Sequence, residues 1–167
     1  KSWWALIKMT SVSFVIPVYN KSSFLKFIVE SLEKQSGSFD REFIFIDDGS
    51  TDNSYEILLN LTKKLKNRKI IRQENKGSAN ATNVGIRAAK MKYLKFLDAD
   101  DVILSDTTKS LLQILEKSPE LVLAYGLQRK VEKLEEIDLF EKFNFDDFLI
   151  VKGTTKKAMR NSMFNPS

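Results

Sequence analysis

Phe43-Ile44-Phe45-Ile46-Asp47-Asp48-Gly49-Ser50 is the stretch that decides the fold. Four consecutive aromatic and β-branched residues read as a strand buried on both faces, and the run stops abruptly at two carboxylates and a glycine. Ser50-Thr51-Asp52 then offers caps for a helix through Ile57, Leu58, Leu61 and Leu65. A buried strand that passes at once into a capped amphipathic helix is half of a βαβ unit.

The same alternation extends in both directions. Val12 to Val18 reads as the first strand, and Ser22 or Ser23 caps a helix whose apolar positions Phe24, Leu25, Ile28 and Leu32 recur at helical spacing and end near Gly37. Lys69 to Gln73 is a short third strand. Gly77 to Lys90 is a third helix rich in small residues, Ala79, Ala81, Gly85, Ala88 and Ala89, which let a helix lie close to a sheet or a ligand. Tyr93 to Leu97 is a fourth strand ending in Asp98-Ala99-Asp100-Asp101. Ser105 or Asp106 then caps a helix up to Ser118-Pro119, and Leu121 to Leu127 reads as a fifth strand. Beyond Gln128 the pattern loosens into a charged amphipathic stretch, Val131 to Phe148, and a polar tail from Lys152. The pattern predicts an α/β fold, Rossmann-like, with an open, mainly parallel sheet flanked by helices over residues 12–127. A short extension, 1–11, precedes it and a segment, 128–167, follows. The chain opens at Lys1 without a Met, which leaves Met9 as a natural start or the whole as a fragment.

Composition narrows the chemistry. The 167 residues are 43% hydrophobic and 29% charged, which suits one globular domain and excludes a disordered or collagen-like chain. Cysteine and histidine are both absent. That excludes disulfides, thiolate or imidazole metal ligands, and every Ser-His or Cys-His nucleophile pair. What remains is carboxylates, Lys, Arg, Tyr, hydroxyls, backbone groups and a metal held by oxygen. The net charge of +5 is compatible with a phosphate-bearing ligand or an anionic membrane. The lysines are scattered, however, and the densest cluster, Lys63 to Lys69, reads as the wet face and end of a helix. No apolar run approaches the length that spans a bilayer, so a cytoplasmic location is expected.

Open α/β sheets bind ligands beyond the carboxyl ends of their strands, and three of those ends are pointedly polar here. The first gives Pro17-Val18-Tyr19-Asn20, the second Asp47-Asp48-Gly49-Ser50, the fourth Asp98-Ala99-Asp100-Asp101. Two carboxylates in one small loop, Asp98 and Asp100, repel each other unless a hard cation such as Mg2+ or Mn2+ sits between them and an anionic ligand. Turns favour Asp in any case, but two acidic clusters on two strand ends are harder to explain as turns alone. Tyr19 follows an apolar strand and can offer its ring to a base. Asn75-Lys76-Gly77-Ser78 sits at a helix start, where backbone N–H groups can receive phosphate and Lys76 adds a positive charge.

Together, Val12-Ser13-Phe14-Val15-Ile16-Pro17-Val18-Tyr19-Asn20, Phe45-Ile46-Asp47-Asp48-Gly49-Ser50-Thr51-Asp52, Asn75-Lys76-Gly77 through Asn83-Val84-Gly85-Ile86, and Phe96-Leu97-Asp98-Ala99-Asp100-Asp101 resemble the family 2 glycosyltransferases in order, spacing and strand placement. The resemblance covers about residues 12 to 127 and implies the nucleotide-sugar-binding part of the GT-A fold. It implies transfer of a sugar from a nucleotide-diphosphate donor to a saccharide or lipid-linked acceptor, usually with inversion, aided by Mg2+ or Mn2+. It places this chemistry in cell-envelope polysaccharide or glycolipid synthesis and leaves room for peripheral membrane association. A nucleic acid is not expected as partner, because the clustered carboxylates repel phosphates unless metal-loaded. Residue by residue, Tyr19 and the Pro17 backbone match positions lining the base, and Asp48 the carboxylate that hydrogen-bonds it. Asp98 matches the ribose-side acid of the Asp-x-Asp motif and Asp100 the metal ligand, with Lys76, Gly77 and Asn83 on the nucleotide-sugar side. Asp47 and Asp101 match only as residues that orient these loops. The family often has Arg before the Asn of the third-helix motif, whereas this chain has Thr82 before Asn83, a departure that bears on a phosphate or base contact.

The family also needs a following segment with an Asp or Glu that deprotonates the acceptor hydroxyl. No residue here is assigned to that role; Asp146-Asp147 reads as surface or cap residues. The chain therefore resembles an amino-terminal part competent mainly for donor binding. Two alternatives use the same carboxylates. Phe96-Leu97-Asp98-Ala99-Asp100-Asp101-Val102 also resembles the Asp-x-Asp-x-Val strand of haloacid-dehalogenase-type phosphatases, which want it on an early strand. A receiver-like signalling module has Asp47-Asp48 on Mg2+ and leaves Val12 to Val18 as a surplus strand.

Overall fold

A computed structural model describes residues 10–126; the expected acceptor-side segment 128–167, with Asp146 and Asp147, and the extension up to residue 9 lie outside these described residues. The elements run β1 (Ser11–Val18), α1 (Leu25–Glu33), β2 (Asp40–Asp48), α2 (Ser54–Leu61), β3 (Arg68–Gln73), α3 (Ser78–Ala88), β4 (Tyr93–Phe96) and α4 (Thr107–Lys117). They fall into two units. Among the described residues, one holds 10–34 together with Ser38–Ile103, the other Gln35–Gly37 together with 104–126.

The first unit is built on a four-stranded sheet of order β3-β2-β1-β4 with every pairing parallel. Parallel strands need a crossover between them, and the helices supply it. β1 is central, flanked by β2 through Ser11↔Asp40 to Val18↔Asp47 and by β4 through Val12↔Tyr93 to Val15↔Phe96. That position removes the receiver-like reading, in which this strand is surplus. It also sets Asp98 after the fourth strand in sequence, where a phosphatase of the dehalogenase type does not want it.

The two inner strands, β1 and β2, are buried on both faces. On one, Val15, Ile44 and Ile46 pack against Ala81 of α3, with Ile71, Val84 and Ala88 around them. On the other, Phe14 and Phe43 stack with ring centroids 5.1 Å apart. α1 buries Leu25, Ile28, Val29 and Leu32 and touches α2, which buries Leu58. β4 is the thinnest element, and its Leu94 and Phe96 remain exposed. Pro17 sits in the central strand without harm. Val15 accepts from the Leu97 N–H, so strand alternation aims the proline nitrogen to the same side, past the last β4 pair at Phe96, where no ladder bond is lost.

The helix starts differ from the expected serine caps. At α1 the Lys21 carbonyl accepts from the N–H groups of Phe24 and Leu25, and neither Ser22 nor Ser23 caps it. At α2, Asp52, one of the three residues expected to offer a cap, accepts from the Ser54 N–H at 2.9 Å. In the second unit, Gln35 takes over the work expected of Ser105 or Asp106. Its side chain accepts from Thr108 N–H and Oγ1 at the head of α4 and donates to the Leu104 carbonyl. The expected fifth strand is absent over residues 121–126. Leu121 donates back to Ser118 in a turn, and Val122 and Leu123 stay exposed. An apolar run becomes a strand only when a neighbour takes its backbone groups, and no strand among the described residues does so.

α3 approaches the sheet at Gly85. A Cβ there would lie 2.4 Å from Val15 Cγ1 and 2.8 Å from Ile46 Cδ1. Ile46 has a flexible end, but Val15 is β-branched, fully buried and unable to turn aside. Gly85→Ala is therefore expected to destabilise the fold by about 1–3 kcal/mol, overriding the roughly 1 kcal/mol that alanine contributes to helix propensity. A urea melt in which the variant matches wild type would show that this contact is not what requires glycine.

Candidate active site

The carboxyl ends of β1, β2 and β4, and the loop leading from β3 into α3, are tied to one another by hydrogen bonds that sequence spacing does not show. The β1 exit comes first. Tyr19 leaves the strand 45% exposed. Asn20 follows at φ +51°, a left-handed conformation that Asn tolerates better than most residues. Its Oδ1 accepts from Thr51 N–H at 2.8 Å, Asp52 N–H at 3.3 Å and Thr51 Oγ1 at 3.3 Å, while its own N–H donates to Ser50 Oγ. Lys21 N–H donates to Ser54 Oγ and Ser22 N–H to Asp52 Oδ2. Burial raises the Asp52 carboxyl, but the hydrogen bonds from Ser54 and Ser22 outweigh it and hold the group below its ordinary value.

β2 ends in two aspartates that face opposite sides of the sheet. Asp48, 2% exposed, takes Gln73 Nε2 at 2.7 Å and Lys76 N–H at 2.9 Å on Oδ1, and Gly77 N–H at 2.8 Å on Oδ2. The amides of Lys76 and Gly77, expected to face a phosphate, are thus directed at Asp48. A carboxylate has about four acceptor positions, which leaves one on Oδ2. The bend that achieves this puts Gly77 at φ +86° and Gly49 at φ +70°, and a Cβ on Gly49 would lie 2.8 Å from the Asn75 nitrogen. Asp47 is fully buried on the other face. Arg72 Nε lies 3.2 Å from its Oδ2 without an aligned hydrogen bond, and the guanidinium stacks on Tyr55 at 4.5 Å. Asp47 and Asp48 therefore cannot act as one chelating pair.

After β4, Leu97 and Ala99 are buried while Asp98 and Asp100 are exposed, and Asp101 N–H closes a turn onto the Asp98 carbonyl. Lys21 Nζ lies 2.5 Å from Asp100 Oδ2 and holds that carboxyl below the usual range. Asp101 is pushed up by burial and by the charges of Asp98 and Asp100. Among the described residues no group of three acidic side chains converges on a common point. Asp98 and Asp100 nevertheless fit a hard divalent cation of the kind that uses one or two carboxylates and completes its shell with phosphate oxygens and water.

The structure thus brings Pro17, Tyr19, Asp48, Lys76, Gly77, Asp98 and Asp100 to one edge of the sheet. Asn83 lies farther along α3, exposed. Sequence reasoning missed the connectors: Asn20, Lys21, Ser54, Gln73 and the Arg72–Tyr55 stack. Asn20 stood inside a quoted motif without a role; the others carry no local signal.

An open parallel sheet with its polar loops gathered at the strands' carboxyl ends defines the class of nucleotide-binding α/β proteins. Within it, the profile of Glycosyl transferase family 2 matches residues 13–163, and the chain belongs to that family. It is 38% identical over 114 residues to glycosyltransferase GlyG of Streptococcus pneumoniae, covering 67% of this chain and 38% of GlyG. It is 32% identical over 122 residues to the poly-beta-1,6-N-acetyl-D-glucosamine synthase of Staphylococcus epidermidis, covering 73% of this chain and 29% of the synthase. Among solved structures, S. aureus TarS 1–349 in complex with UDP superposes with TM-score 0.61 at 27% identity, over 66% of this chain and 33% of TarS. The mannosyltransferase PcManGT of Pyrobaculum calidifontis, in complex with GDP-Man and Mn2+, gives 0.61 at 21% identity, over 65% and 33%. The fold is GT-A, and the chain spans about a third of the length of these relatives. No helix among the described residues is long and apolar enough to cross a membrane.

Two predictions follow from the geometry. Asn20→Ala is expected to cost about 2 kcal/mol in a urea melt and Asn20→Gly about half of that, because glycine keeps the left-handed backbone and loses only the hydrogen bonds. Equal losses would mean that φ is unimportant. Lys95, on β4, is driven down to about 8 by burial, with Asp101 opposing. Between that value and 10.5 the unfolded chain binds the proton and the folded chain does not, so Lys95 makes the fold more stable as pH rises through this window. Melts at pH 7.5 and 10 should show wild type gaining on Lys95→Met; parallel behaviour would place Lys95 in water.

Proposed function

We propose that this chain is the donor-binding part of a hexosyltransferase that moves a sugar, with inversion, from a nucleoside diphosphate to a saccharide or lipid-linked acceptor in envelope polysaccharide or glycolipid synthesis. The observation that carries this reading is the bonding of the three acidic or aromatic strand ends into one surface. Asn20 and the amides of Lys76 and Gly77 hold the strand ends at Tyr19 and Asp48, and the Lys21 ammonium reaches from the first of them to Asp100. TarS, 27% identical, has been solved with UDP and with UDP-GlcNAc, and the S. epidermidis relative is a synthase of an N-acetylglucosamine polymer.

In this reading the exposed Tyr19 ring stacks on the base, and the open acceptor position of Asp48 takes a base N–H. Pro17 contributes its backbone to the same wall. Asp98 binds the ribose side, and Lys76 and Asn83, both exposed, face the diphosphate and sugar. Asp98 and Asp100 hold the cation, Mg2+ or Mn2+, as the donor set fits; such an ion neutralises the diphosphate leaving group. PcManGT, of the same fold, carries GDP-Man with Mn2+. In transfer, the acceptor hydroxyl oxygen forms a bond to the anomeric carbon as the bond to the diphosphate oxygen breaks. The diphosphate leaves with the electron pair, and the hydroxyl proton passes to a base outside the residues assigned here.

Isothermal titration of UDP, GDP and ADP into wild type and Asp100→Ala, with and without Mn2+, tests this. One diphosphate should bind in a Mn2+-dependent manner, and Asp100→Ala should weaken it by at least about tenfold, the equivalent of roughly 1.4 kcal/mol. Binding that ignores both the metal and Asp100 would overturn the assignment of the Asp98–Asp100 loop.

A further inference from the structure

Lys21 has a fixed backbone and a free arm. Its N–H donates to Ser54 Oγ at 2.9 Å, and its carbonyl accepts from Phe24 and Leu25 N–H at 2.9 and 3.2 Å. Its side chain, by contrast, ends on a single ionic partner, Asp100, with the Phe24 ring 5.6 Å from Nζ. The two side chains are 34% and 39% exposed, so the pair is open to water and the four-carbon stem is free to swing about its anchored base. The partner is not incidental. Asp100 is one of the two carboxylates assigned to the cation, and the Lys21 ammonium lies on that same carboxylate.

An ammonium and a divalent cation on one carboxylate repel each other unless an anion lies between them. A cation that arrives alone must therefore compete with Lys21 for Asp100. A cation that arrives with a diphosphate brings the anion that both positive charges share, and Lys21 then has somewhere else to go. Resting on the donor-site reading above, we propose that Lys21 is a positioning residue that occupies Asp100 in the empty site and transfers to the diphosphate when the cation takes Asp100. The exchange forms and breaks only ionic contacts. Its consequence is that cation and diphosphate bind cooperatively, and that the bare cation binds weakly.

The test measures Mn2+ binding directly, from the free-ion EPR signal, on the 167-residue chain, with and without saturating UDP, or GDP if UDP does not bind. The variants are Lys21→Met, Lys21→Gln, Lys21→Arg and Asp100→Asn, each checked for folding by far-UV circular dichroism. Lys21→Met is expected to bind Mn2+ alone about fivefold more tightly than wild type, the scale of one partly exposed ion pair. The factor by which the nucleotide tightens Mn2+ should fall by at least about the same amount, and Lys21→Arg should restore it. Lys21→Gln serves if the methionine variant does not fold. If Asp100→Asn abolishes Mn2+ binding but the neutral Lys21 variants bind Mn2+ no better than wild type, the role of Lys21 is overturned and the donor site stands. If no variant and no wild type binds Mn2+, both are overturned together.

Discussion

A buried carboxylate at the end of β2 dictates the shape of the site. Asp48 has almost no contact with water, and a charge in that position persists only if donors surround it. The chain provides three, one from the side chain of Gln73 and two from the backbone of Lys76 and Gly77. To aim two successive amides at one group, the connection from β3 to α3 must bend sharply, which is why Gly77 has positive φ and why Asn75 passes too close to Gly49 for any side chain there. The position of the head of α3 is thus a consequence of one charge. Asn20 acts by the same logic without a charge, as a side-chain acceptor that gathers the amides of Thr51 and Asp52.

Parallel β-structure then separates functions that the sequence places side by side. Because successive residues of a strand face opposite ways, Asp47 goes to Arg72 and Tyr55 on one face and Asp48 to the α3 turn on the other. The Asp98-Ala99-Asp100 stretch beyond β4 alternates too, but with the small Ala99 turned inward and both acids outward. Two acidic clusters that look alike in sequence have therefore become different objects: one a structural anchor on each face, the other an exposed pair of carboxylates.

The strands and their order in the chain were legible because burial on both faces demands continuous apolar runs, and Val12 to Val18 and Phe43 to Ile46 meet that demand. The polar strand ends were legible for the same reason, since each interrupts such a run. The fifth strand failed on the same criterion: Leu121 to Gly126 is apolar, but apolar composition does not supply a hydrogen-bonding neighbour. Helix caps were read from adjacent residues, whereas α4 is capped by Gln35, some seventy residues earlier. Lys21 is one of 27 cations, and nothing in its neighbourhood distinguishes it. Its partner lies across the sheet edge, so only the folded chain reveals it.

The sheet order has a consequence for the order in which the molecule assembles. β1 is made first and lies in the middle, between a strand that ends at Asp48 and one that ends at Phe96. During synthesis its second edge stays open while α2, β3 and α3 emerge, and the ladder from Val12 to Val15 closes only when β4 has left the ribosome. Throughout that interval the most apolar strand in the sheet is half-paired. The short Tyr93–Phe96 segment, which carries Lys95, is the element that covers this second edge of β1.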